Sequence, residues 1–156
     1  LMKPYLLNVF FGVIMLVPFA GADEPTIRID DPWVREAPPM APALAAYMII
    51  KNLSSEPKTL LSATSPAFKR IEIHQTINRD GMMQMQAQSQ LVIAADDQVD
   101  LAPGGYHLML MEGEESLSVG DKVTLTLQFA DDEEMTLTMP VRKFLPPQMH
   151  HHHHHH

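Results

Sequence analysis

The chain has 156 residues, no cysteine, 12 methionines and a formal net charge of −8, from 11 Lys and Arg against 19 Asp and Glu. A surface of that sign repels phosphate backbones and anionic lipid, so nucleic acid is not expected as a partner; without cysteine, neither disulfides nor thiolate metal sites are available. Residues 23–149, left once two unusual ends are set aside, suffice for one domain with its own core.

The N-terminal end reads as a signal peptide over residues 1–22. Lys3 precedes an apolar run from Leu6 to Phe19, and Ala20-Gly21-Ala22 offers the small residues a signal peptidase inspects, so cleavage is expected after Ala22. The run is shorter than the roughly 20 residues that span a bilayer, so no membrane association is expected after cleavage. At the other end, His150–His156 is expected to be a purification tag. Seven of the nine histidines lie there, and only His74 and His107 remain in the domain.

Between the ends, short alternating segments follow one another. Thr26–Asp30 alternates and Trp33-Val34-Arg35 follows a proline; Ala37–Pro42 carries three prolines that lack donors and must be a loop. Leu44–Asn52 and Lys58–Thr64 read as strands. Arg70–Ile77 alternates, with Ile71, Ile73 and Gln75 on one face and Glu72, His74 and Thr76 on the other. A four-residue turn, Asn78–Gly81, leads into Met82–Gln88. Strands are then expected at Gln90–Ala94, Val99–Leu101 and, after Pro103-Gly104-Gly105, at Tyr106–Met111. Lys122–Phe129 and Glu134–Lys143 form a last hairpin, with Val123, Leu125, Leu127 and Phe129 pointing inward. Eight or nine such strands, with no useful helical periodicity, predict an all-β Greek-key sandwich or barrel.

A single methionine ordinarily fills gaps in a core. Here the placement suggests more. With a four-residue turn flanked by Ile77 and Met82, His74 would stand directly opposite Met85, with Cβ atoms about 4.5–5.5 Å apart. His107 and Met109 are two apart on another strand and share a face. Two imidazoles and two thioethers are soft or borderline neutral donors, a set that favours Cu(I) and holds Cu(II) more weakly, whereas zinc usually takes Cys, His or carboxylate. Methionine also suits an oxidising compartment because it forms no disulfides.

Ten residues separate His74 from Met85, 21 separate Met85 from His107, and one separates His107 from Met109. This spacing resembles the motif of the periplasmic copper chaperones associated with the copper A centre of cytochrome c oxidase; starting from a given histidine it would arise by chance about once in ten thousand times. Trp33-Val34-Arg35 before Ala37-Pro38-Pro39, Ala46-Tyr47, Asp80-Gly81-Met82-Met83, Leu101–Gly105 and Gly120-Asp121 also look like that family. The resemblance implies a cupredoxin-like β-barrel and carriage of one Cu(I) in the periplasm through His74, Met85, His107 and Met109. It further implies a non-enzymatic monomer that delivers copper to an accepting protein, such as an oxidase subunit or another copper carrier. Gln75 stands where some members have a methionine, and the short Phe144–Met149 gives no reason to expect a second native copper site. Two other readings remain open: a copper-buffering or resistance protein without a dedicated acceptor, and a metal-free β-sandwich interaction module.

Overall fold

Ten strands account for the regular structure of the described residues, and none of those residues is helical. The computed structural model describes residues 24–145, together with 2–4, 15, 18 and 21. Apart from those few positions, the expected signal peptide lies outside the described residues, as does the histidine run.

The strands are β1 (Ile27–Arg35), β2 (Ala43–Asn52), β3 (Lys58–Thr64), β4 (Phe68–Arg79), β5 (Met82–Gln88), β6 (Leu91–Ile93), β7 (Gln98–Leu101), β8 (Tyr106–Gly113), β9 (Lys122–Phe129) and β10 (Glu134–Arg142). The all-β sandwich read from the alternation is what forms. One layer runs β5-β4-β8-β7-β2-β1, the other β10-β9-β3-β6, and a short parallel pairing, Val34 with Val141 and Arg35 with Arg142, joins them. β8 also pairs directly with β2, through Ala43–Ala46 and Leu108–Met111.

The pleat decides which residues meet between the layers. Ile73, Leu108 and Leu110 from the first layer and Val123, Leu125, Leu127 and Met139 from the second are buried together in one apolar cluster. Each such side chain contributes about 1.5–3 kcal/mol relative to exposure. Met48 and Met139 are ordinary core methionines, almost wholly buried. Asn52 is the buried polar exception: its amide donates to the carbonyls of Glu56, Ile93 and Ala94, while its oxygen accepts from Ser54.

Two local departures from the sequence reading have physical causes. Thr26–Asp30 and Trp33–Arg35 belong to one strand, interrupted by an irregularity between Asp30 and Trp33, where Asp31 takes a φ of +45° just before Pro32. The β4–β5 turn contains two residues, not four. Asp80 and Gly81 both have positive φ, +55° and +80°, as a type I′ hairpin requires, and Arg79 pairs with Met82. The Asn78 side chain adds an acceptor for the Gly81 amide at 2.9 Å. Every β4–β5 pairing is therefore shifted by two residues from the expected one.

Candidate metal centre

That shift corrects one expected contact. His74 stands opposite Ala87, and Met85 stands opposite Thr76. Because the slip is an even number of residues, His74 and Met85 keep the same face. They are diagonal neighbours, with Cα atoms of such pairs about 7–8 Å apart, an offset that methionine's three rotatable bonds can span.

The closer partner of His74 is His107. The two are directly paired across β4 and β8, with ring centroids 5.6 Å apart and planes at 71°. On the same face and one step along, Met109 pairs with Glu72 on β4 and with Ala45 on β2. In the other direction along the row, Tyr47 lies beside His107 at 6.4 Å between centroids, and Trp33 pairs with Tyr47 at 4.9 Å. A band of four rings thus crosses β1, β2, β8 and β4 on the face opposite the core.

Each imidazole is held through one nitrogen and left bare at the other. The Nε2 of His74 lies 2.8 Å from the Glu72 carboxylate, which when ionised can only accept, so Nε2 donates and in the neutral imidazole Nδ1 keeps its lone pair. Arg70 lies 3.4 Å from the other carboxylate oxygen. The hydrogen bond from His74 holds the Glu72 carboxyl below its ordinary range, against the effect of burial and with Arg70 assisting. In His107, Nδ1 lies 3.4 Å from the Gly105 carbonyl, and Nε2 is the free atom. Burial holds the His107 imidazole below its ordinary pKa, opposed by the Gly105 carbonyl and reinforced by His74. Both free atoms, His74 Nδ1 and His107 Nε2, are buried without a hydrogen-bond partner.

The turn before β8 explains why the carbonyl is there. The Gly105 amide donates to the Ala102 carbonyl at 3.0 Å, with Pro103 fixing φ at the second position and Gly104 at +87° at the third, the arrangement of a type II turn. The Gly105 carbonyl then accepts the Thr76 amide of β4 at 3.0 Å and faces His107.

An unpartnered buried nitrogen costs free energy unless something binds it. Two such atoms on paired histidines fit a shared metal ion. An ion held at about 2.0 Å by a ring nitrogen lies about 3.2 Å from the ring centroid, so two rings sharing it at a tetrahedral angle lie about 5.2 Å apart, near the separation of His74 and His107. The second contacts, a carboxylate on one imidazole and a backbone carbonyl on the other, are those that orient metal-binding histidines. Among the described residues no group of three or more His, Cys, Asp or Glu side chains is placed to hold a metal. Further donors for an ion between His74 and His107 would therefore be the thioethers of this face, half-buried Met109 and exposed Met85. Met111 shares the face, but its sulfur receives a hydrogen bond from Arg70 at 3.1 Å.

The structure thus pairs His74 directly with His107 and places Met109 and Met85 each a diagonal step from His74, Met109 on the Glu72 side of the row and Met85 on the Thr76 side. Glu72, the Gly105 carbonyl and Tyr47 were not foreseen as part of the site. Glu72 left a signal in the spacing, two residues before His74 and on its face, whereas Tyr47 and Gly105 stood only within segments that look like the copper-chaperone family.

A family model described as "Putative lipoprotein LpqE-like" matches residues 27–141. The chain is 33% identical over 125 residues to Putative lipoprotein Lxx21020 of Leifsonia xyli subsp. xyli, covering 80% of this chain and 74% of the relative. Among solved structures, its fold is similar to the copper-bound PCuAC domain from PmoF2, with a TM-score of 0.66 and 24% identity over 76% of this chain and 94% of that one; this likeness shows the fold alone. It is also similar to the solution structure of CuI-DR1885 from Deinococcus radiodurans, with a TM-score of 0.63 and 31% identity over 80% of this chain and 83% of the other.

Proposed function

The chain belongs to the LpqE-like family, and from that premise we propose that it is a non-enzymatic Cu(I) carrier of the bacterial envelope that delivers its ion to an accepting protein. One observation carries this reading: the buried, unpartnered nitrogens of His74 and His107, each ring already held through its other nitrogen. Met109 and Met85 complete a donor set of two imidazoles and two thioethers. The likeness to CuI-DR1885 supports the metal and its oxidation state. The lipoprotein names of the family and of the Leifsonia relative support an envelope location, with the periplasm as the compartment.

The donor chemistry favours transport over catalysis. Neutral ligands leave the ion's charge uncompensated, and thioethers prefer the soft Cu(I) over the harder Cu(II). Met85 stands exposed at the rim, where an incoming ligand can replace it without unfolding anything. An acceptor such as the copper A site of cytochrome c oxidase can then take the ion by stepwise exchange of donors.

The test is a transfer assay. Cu(I)-loaded chain lacking residues 150–156 is mixed with an apo copper A domain, and copper is followed on the acceptor. Transfer faster than spontaneous release into buffer supports delivery. Retention against the apo domain, with binding otherwise intact, would favour a buffering protein.

A further inference from the structure

Met82 and Met83 are adjacent, almost equally exposed, at 66% and 62%, and point to opposite faces of β5. Neither is accounted for by packing. Met83 pairs across the ladder with polar Asn78, and Met82 with Arg79. β5 is an edge strand of the sandwich, and its sequence, Met-Met-Gln-Met-Gln-Ala-Gln, holds no charge and no proline, the devices that usually protect an edge. Exposed thioethers at such a place call for a reason other than the core.

The faces supply one. Met83 shares its face with Met85 two residues away, and through Met85 with His74 and His107. Along this line the donors pass from deep burial at His107, at 3% exposure, to open solvent at Met83. Met82 lies off the line.

Resting on the Cu(I) site proposed above, we propose that Met83 and Met85 form an outer two-thioether station through which soft monovalent cations enter and leave. On departure the ion keeps its Cu–S bond to Met85 while its bonds to His107, His74 and Met109 break in turn, and a Cu–S bond to Met83, two residues from Met85, forms. Every ligand exchanged is neutral, no proton or electron moves, and the ion remains Cu(I). Met83 is thus a transit ligand and takes no part in the resting site.

The neighbouring methionine makes the test internally controlled. Tag-free wild type, Met83→Leu, Met82→Leu and Met109→Leu are loaded with one Cu(I), and transfer to an aromatic diimine chelator is followed by stopped-flow absorbance, alongside equilibrium affinity. Met83→Leu should slow release about fivefold or more at unchanged affinity, because the change falls on the exchange path and not on the resting site. Met82→Leu should match wild type. Release from Met83→Leu at the wild-type rate, or equal slowing in Met82→Leu, would overturn the proposal. Weakened equilibrium affinity in Met83→Leu would overturn it too, making Met83 a resident ligand. Failure of the underlying site reads differently: Met109→Leu would then hold Cu(I) as tightly as wild type, removing the station's purpose with it.

Discussion

His74 and His107 face each other directly across the β4–β8 ladder, each with one nitrogen hydrogen-bonded and the other buried and bare. This relationship organises the centre, and Met109 and Met85 are arranged around it. It also sets which substitutions should weaken metal binding and which should only weaken the fold.

Met109→Leu nearly conserves volume on a half-buried strand position, so the fold should persist with a stability loss of less than about 1.5 kcal/mol. Cu(I) affinity should fall by about tenfold or more, equivalent to about 1.4 kcal/mol. A chelator competition paired with urea unfolding reads both. Unchanged affinity would remove Met109 from the site.

Glu72 acts through His74 by holding its Nε2 proton. Glu72→Ala should lower Cu(I) affinity about 10–100-fold, the usual consequence of losing such a partner. Nitrogen NMR of the apo-protein should show the His74 tautomer, single in wild type, becoming mixed in the variant. A purely structural role would leave the tautomer unchanged.

Protonation of His107 sets the pH response of the apo-protein. Its folded-state pKa is depressed by burial, so below about pH 6.5 the unfolded chain takes up a proton that the folded one resists. Stability is therefore full above that value and is lost as pH falls toward the folded pKa. Glu72, also depressed, adds a loss in the same direction at lower pH, below the ordinary carboxyl range. Urea midpoints should drop between pH 7.5 and 5.5 in wild type and less steeply in His107→Gln. Equal slopes would contradict a buried, neutral His107.

Asn52 makes a prediction that leaves the metal aside. Asn52→Leu removes the donor to three carbonyls near β6 and should cost about 2–3 kcal/mol, while Cu(I) affinity per folded chain stays unchanged. Chemical unfolding and copper titration of the same sample check the two halves.

Much of this was legible in the sequence because it is local. Strand and turn signals located Lys58–Thr64, Met82–Gln88 and Lys122–Phe129 with the bounds the structure has, and alternation put Glu72 and His74 on one face. The hairpin register was misread although Asp80-Gly81 carried the signal: only residues that tolerate positive φ fit a two-residue turn, and both central positions have it. The direct pairing of His74 with His107 was not readable, since no local pattern says which strand lies next to β4. The same holds for Tyr47, brought beside His107 by the β2–β8 pairing, and for the Gly105 carbonyl, aimed by a turn whose type depends on Gly104.

The central claim is that one Cu(I) is held by His74, Met85, His107 and Met109, and competition titration in each oxidation state tests it most directly. The chain must lack residues 150–156, because consecutive histidines bind Cu(II) and would mask the site. Trp33, the sole tryptophan, has its ring centroid 4.9 Å from that of Tyr47, itself beside His107, so its fluorescence should change on occupancy. The account predicts one Cu(I) per chain under reducing conditions, bound more tightly than Cu(II), with the preference reversed when Met85 and Met109 are both replaced by histidine. Tighter binding of Cu(II) than of Cu(I) in the wild-type chain would contradict it.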